Sequence, residues 1–257
     1  MEDIATIKEA IKGKLDDFKD RFTRMDEDFD RWALKSPALR GSAEYKTSVK
    51  SRDTEIKVIT NAPRTFGDSV QSILSSSDRQ IHIRMAEAEG KDLREEIGKL
   101  ERLLEYSFEK ADERLARLLL PPFKDCEVWY SLFRGWVSAR ILIYKDGNDV
   151  IFDFLPLDPR WLTFQTGANG LLWSAYTTSH SPEELEDEYG KEVRPIPWYK
   201  PWLKPAKSCD VIDYWYKEGN GKISNGIFCG DVWLKEPEEY EMKSMPVLLA
   251  PVPTRPP

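Results

Sequence analysis

The sequence predicts an α+β fold in which long amphipathic helices pack beside antiparallel β-hairpins. Three observations carry that expectation. Apolar residues recur at three-and-four spacing across Glu2–Lys35 and Glu87–Leu120, the pattern of helices buried along one face. Three pairs of β-rich runs are joined by short turns containing Gly, as hairpins require. A capping-box sequence, Ser181-Pro182-Glu183-Glu184, opens a short helix between the second and third hairpins. A chain of 257 residues with 40% hydrophobic content and nine Trp can bury a sizeable core. It divides into an N-terminal amphipathic helix over residues 1–36, a body over 54–252 and a Pro-rich end over 253–257.

In the N-terminal helix, Ile4, Ile11, Phe18, Met25 and Trp32 repeat every seven residues, and Leu15, Phe22 and Phe29 follow members of that series by four. A strict seven-residue repeat favours a left-handed supercoil with another helix. The stripe therefore reads as a partner-binding surface or as a face packed on the protein's own body, which is the commoner use. Ser36-Pro37 ends the helix, because the residue before Pro is pushed out of the α region. Ala38–Asp53 reads as a loop, Thr54–Asn61 as a strand, and Arg64–Ser75 as a short helix with Phe66, Val70, Ile73 and Leu74 inward. Ile81, Ile83 and Met85 alternate with His82 and Arg84, as in a strand with one solvated face. Glu87–Leu120 is the longest helix, on the order of 45 Å at ~1.5 Å per residue. Its inward residues are Leu93, Ile97, Leu100, Leu104, Phe108, Ala111, Leu115 and Leu118. Pro121-Pro122 closes it, and Lys124–Val137 is the next helix.

Trp129–Gln165 is the stretch around which the rest is organised. Trp129, Leu132, Phe133 and Trp136 have helical spacing. Arg140–Tyr144 and Val150–Leu155 form the first hairpin, with Gly147 supplying the positive φ of its turn. Pro159 then stops the second strand, having no donor for the ladder, and Asp158 before it suits an Asx-type turn. Trp161–Gln165 and Leu171–Thr178 flank Thr166–Gly170 as a second hairpin. Pro182–Tyr189 is a two-turn helix with Gly190 at its C′ position. Arg194–Pro205 reads as an extended loop whose aromatic side chains fold back on the sheet. Cys209–Tyr216 and Ile223–Val232 make a third hairpin across Gly219–Gly221. Met245–Val252 is a last apolar strand, and the prolines directly after it suggest a chain cut at a boundary.

The net charge of −7 lacks the basic excess with which proteins grip phosphates, so bulk adhesion to nucleic acid is not expected. No apolar run approaches the ~20 residues of a membrane span, and the N-terminus has no signal-peptide pattern. Cys126, Cys209 and Cys229 are odd in number, widely spaced and without a CxxC pair. That favours a reducing compartment, with synthesis in a cytoplasm, over a disulfide framework or zinc site. His82 and His180 are isolated, and no phosphate-loop, dinucleotide, nucleophile-elbow or HExxH motif occurs. Asp153, Asp158 and Asp213 are candidates for metal or acid/base work, against the usual role of such residues as caps and turn formers. Cys126, beside Lys124 near a helix start, is a candidate low-pKa thiol or an inert buried one. The one local cluster that stands out is Arg134-Gly135-Trp136. A mid-helix Gly135 costs ~1 kcal/mol against Ala, which calls for close approach of a neighbouring backbone. With Arg140, Asp158 and Arg160, these residues are expected to form a junction, internal or between subunits. No catalytic, cofactor-binding or metal-ligating residue is expected.

The same residues carry a resemblance. Asn61-Ala62-Pro63-Arg64-Thr65-Phe66 leading into a helix, then FRGWVSARILIY, LPLDPRWLTFQTGANGLLWSAY, SPEELEDEYG and CDVIDYWYKEG, resemble in order and spacing the portal protein of tailed bacteriophages over about Thr54–Val252. The resemblance implies a non-enzymatic, cofactor-free subunit of a ring, typically dodecameric, at one vertex of the capsid in the virion. Such a ring is the conduit for packaging and ejecting genomic DNA, which passes through without sequence-specific binding. The implied partners are the terminase large subunit, the head–tail connector, and the major capsid and scaffolding proteins. In that family this segment is the N-terminal part of the wing, ahead of the stem and clip. Two other readings come from the residues: a metal-dependent phage or cellular hydrolase using Asp153, Asp158 or Asp213, and a soluble adaptor whose N-terminal helix binds a partner helix.

Overall fold

The structure, a computed structural model, describes residues 3–33, 62–77, 79–83, 93–191, 208–219 and 221–252. The expected loop at 38–53, strand at 54–61, extended loop at 194–205 and Pro-rich end at 253–257 lie outside these residues. The protein is α+β, with six α-helices and two antiparallel sheets among the described residues. No described helix is long and apolar enough to cross a membrane. The chain forms two compact units, Met1–Phe22 with Leu157–Val247, and Thr23–Pro156 with Leu248–Pro257.

The first unit is built on a five-stranded sheet of β3 (Leu162–Gly167), β4 (Gly170–His180), β5 (Cys209–Lys217), β6 (Ile223–Cys229) and β7 (Val232–Tyr240), in that order, each neighbour antiparallel. The helix expected over Glu2–Lys35 is two helices, α1 (Ile4–Asp17) and α2 (Lys19–Trp32), interrupted at Phe18. Ile4, Ile7 and Ile11 of α1 pack on Trp173, Ala175, Tyr214 and Phe228. Full burial of such side chains stabilises by about 1.5–3 kcal/mol each. The opposite face of the sheet takes Leu185 of α6 (Pro182–Tyr189), which packs with Cys209, Val211, Cys229 and Leu234. Val211 and Tyr214 serve different faces because their separation in the strand is odd. Ile4, Ile7 and Ile11 are thus covered by their own sheet, while Leu15 of the same stripe stays exposed. A partner helix would have to displace that packing.

Helix α6 forms as its sequence dictates. Ser181 Oγ accepts from the Glu184 N–H, the Glu184 carboxylate accepts from the Ser181 N–H, and Gly190 closes the helix at φ 63°. The strand expected over Ile223–Val232 is instead broken at Gly230, φ 59°, into β6 and β7. Strand β7 is an edge among the described residues, and Lys235, Glu236, Pro237, Glu238 and Glu239 are residue types that disfavour pairing along it.

The second unit holds α3 (Ala62–Ser76), α4 (Leu93–Arg117), α5 (Phe123–Arg134) and a three-stranded sheet ordered β2 (Asp149–Leu157), β1 (Trp136–Asp146), β8 (Val247–Pro251). Its core joins Ala111 and Leu115 of α4 to Phe123, Ala139, Phe152 and Phe154. Asp112 starts α5 by accepting from the Phe123 N–H at 2.7 Å. Several expected faces differ. Phe66, Ile73 and Leu74 of α3 are exposed, and Gly67 is its buried residue, where a Cβ would stand 2.8 Å from the Phe133 ring. A helix that approaches through glycine turns its large residues outward. Leu100 of α4 and Leu118, just past its end, are also exposed. Residues 81–83 form no strand, and the Ile83 N–H instead donates to the Glu101 carboxylate.

Candidate functional site: a helix-to-strand junction

Helix α5 ends at Arg134, not Val137, and Trp136 already opens β1. Gly135 sits between them in the left-handed region, φ 67° and ψ 10°. A Cβ there would meet nothing within 4 Å. The expectation of a mid-helix glycine admitting a neighbouring backbone is therefore corrected. Gly135 is present for its backbone conformation, which an L side chain adopts at a cost of roughly 1–2 kcal/mol. Its carbonyl accepts from the Val252 N–H at 2.9 Å, tying the chain after β8 to the junction.

Arg134 turns back along the helix. Its guanidinium donates to the Met25 carbonyl at 3.2 Å, lies 4.0 Å from the Asp26 carboxylate, and stands over the rings of Phe29 and Trp129 at 5.3 and 5.4 Å. Those rings belong to an aromatic cluster with Trp32 and Phe133. A cation at the negative end of a helix, over aromatic faces, is favoured twice. Arg140, on β1, donates to Asp153 at 3.0 Å, and Arg114 of α4 approaches the other oxygen of the same carboxylate at 3.3 Å. Asp153 is 6% exposed, so both arginines serve to hold its charge in a buried place.

Asp158 and Arg160 belong to the other unit from Arg134, Gly135, Trp136 and Arg140. Asp158 accepts from the Arg160 N–H at 2.9 Å, forming the Asx-type turn expected from its place before Pro159, and its own N–H donates to the Tyr176 hydroxyl. The Arg160 guanidinium lies over Phe22 and Trp161. Asp213 accepts from the Asn225 amide at 2.6 Å. Among the described residues no three of His, Cys, Asp and Glu converge as a metal donor set. His180 stands 3.0 Å from the Thr178 hydroxyl and 3.7 Å from Glu184, at the start of α6.

The thiols run opposite to a reactive role. Burial pushes Cys126 up to about 11, with Asp125, Asp112 and Glu127 adding to the rise, so the low-pKa reading is corrected. Cys229 is pushed up to about 12 by burial and by Cys209 beside it. Burial also raises Glu127, opposed by Arg79 at 3.9 Å. In the sequence Lys124 stands out only as a neighbour of Cys126. Its ammonium donates to the Ser75 and Ser77 carbonyls and fastens the end of α3 to the start of α5. No sequence signal marks that contact, since its partners lie about fifty residues away and are backbone atoms.

No protein-family model matches the chain, and no curated protein sequence matches it.

Proposed function

We propose that the chain is a structural subunit of a phage portal ring at the capsid vertex, a conduit for genome packaging and ejection and a docking platform for terminase and the head–tail connector. What supports this is the placement of the resembling segments. Ala62–Phe66 opens α3, the FRGW segment spans the end of α5 and the start of β1, LPLDPRWLTFQ runs from the end of β2 through its Pro-bounded 3-10 corner into β3, and SPEELEDEYG is the capped helix α6. They fall on boundaries between elements, where backbone direction is set. The polar side chains among them are spent on caps, turns and aromatic faces. That suits a shape-holding scaffold. The acidic net charge suits a wall that lets DNA slide past.

Electron microscopy of the purified full chain tests this. Closed rings with an open central channel wide enough for duplex DNA are expected. Particles without rotational symmetry or without a channel would overturn the proposal.

A further inference from the structure

We propose that Cys209 and Cys229 form an oxidation site, at which hydrogen peroxide joins the two thiols of the folded chain into a disulfide that clamps β5 to β6. Both residues belong to the five-stranded unit of a single copy, so the site does not depend on assembly into a ring.

The sheet brings the two together. Cys209 is the first residue of β5 and Cys229 the last of β6. Val211 stands opposite Cys229 in the antiparallel register, and Cys209, two residues before Val211, shares its face of the sheet. Cys209 is therefore the diagonal neighbour of Cys229. A diagonal pair stands farther apart than an opposed one, yet here the two thiols hydrogen-bond to each other, so the side chains converge. Both are free thiols, 3% and 4% exposed, packed with Val211, Leu185 and Leu234. A disulfide asks for a Cα separation of about 4.4–6.8 Å. At two strand ends, where few ladder bonds remain to be disturbed, a small inward shift costs little. The third cysteine, Cys126, belongs to the other unit.

Hydrogen peroxide suits a covered pair because it is scarcely larger than water. One thiol, deprotonated, attacks an oxygen of the peroxide and the O–O bond breaks. The sulfur gains one hydroxyl as a sulfenic acid, and the other leaves as hydroxide and takes up the thiol's proton to become water. The second thiol then attacks the sulfenic sulfur. The S–S bond forms, the S–O bond breaks, and the hydroxyl leaves with that thiol's proton as a second water. Two thiols are oxidised to one disulfide, and one peroxide is reduced to two waters. While packed, Cys229 is a poor nucleophile, since burial and the Cys209 thiol beside it push it up to about 12. The first attack therefore waits on local opening. The cover is α6, an eight-residue helix held on the sheet through Leu185, and a helix this short has little stability of its own. Oxidation is slow for that reason, and the same cover then shields the finished link from reductants.

The test uses the full chain in a Cys126→Ser background, so that only the pair is read. The folded chain is treated with hydrogen peroxide, then denatured, alkylated and digested, and its peptides are weighed. The expected product is one peptide pair joined through Cys209 and Cys229, two hydrogens lighter than its reduced parts and restored to two thiols by dithiothreitol. Adding Cys209→Ser should abolish the link and let Cys229 advance to the sulfinic acid instead. The linked chain should melt about 5 °C above the reduced one, because a cross-link spanning the β5–β6 hairpin restricts the unfolded chain. Two thiols that survive peroxide, or that both reach the sulfinic acid unlinked, would overturn the proposal. A link that forms only in urea would show that the folded contact is not competent and overturn it as well. A linked chain that melts no higher than the reduced one would overturn the clamp.

Discussion

Gly135 and Leu119 occupy the same left-handed backbone region, φ 67° and 58°, one where the sequence relieves strain and one where it accepts it. At Gly135 the sign of a substitution tells which structure is present. If the helix ran on to Val137, Gly135→Ala would stabilise by about 1 kcal/mol. At φ 67° with open space around the Cβ, it should destabilise by roughly 1 kcal/mol instead, and Gly135→Asn by less, in urea unfolding. Asp153→Ala leaves Arg140 and Arg114 without their shared anion and should cost about 3 kcal/mol by the same measurement. The Cys126 thiol, raised from 9.0 to about 11, gives a pH dependence with a definite sign. Above pH 9 the unfolded chain releases this proton while the folded chain keeps it. Stability should therefore fall as pH rises from 9 towards 11 and be unaffected by this group below 9. Cys126→Ser should flatten that part of the pH–stability profile.

Among the elements, those that declare themselves through neighbouring residues were legible. Helix α6 follows from Ser181, Pro182, Glu184 and Gly190 alone, and Ser181→Ala should cost about 1 kcal/mol in thermal or urea unfolding. The first two hairpins follow from Gly147 and Gly170, both at positive φ. Other boundaries were hidden by coincidence of pattern. Trp136 stands three after Phe133, as a helical residue would, but it begins β1, because Gly135 turns the chain between them. Cys229-Gly230-Asp231-Val232 is a tight turn inside what reads as one strand. The inward face of α3 is not legible in its sequence because burial is decided by what arrives from elsewhere, here the Phe133 ring, which sits where a Cβ on Gly67 would stand 2.8 Å away. The stripe of α1 was legible as a buried face, though not its partner. Ile7, 1% exposed beneath the sheet, should cost about 2–5 kcal/mol as Ile7→Ala, measured by urea unfolding. In the candidate junction, Asp158 showed its turn through Pro159, whereas the Arg134 partners at Met25 and Asp26 lie more than a hundred residues away and left no local trace.

For the whole molecule, carboxylates at the candidate positions are held by arginine or asparagine side chains or by backbone N–H groups, and the Cys126 and Cys229 thiols are raised. These attributes support the proposed reading of a body that keeps a shape and meets other copies. The unit that carries α3 and α4 leaves Phe66, Ile73, Leu103 and Leu119 exposed. The proposed function stands on self-assembly into a closed ring. Native mass spectrometry of the full chain measures it most directly. A single oligomer of about a dozen copies, with closed symmetry and no ladder of larger species, is the expected result. A monomer that persists at high concentration, or an open series of masses growing without limit, would contradict it.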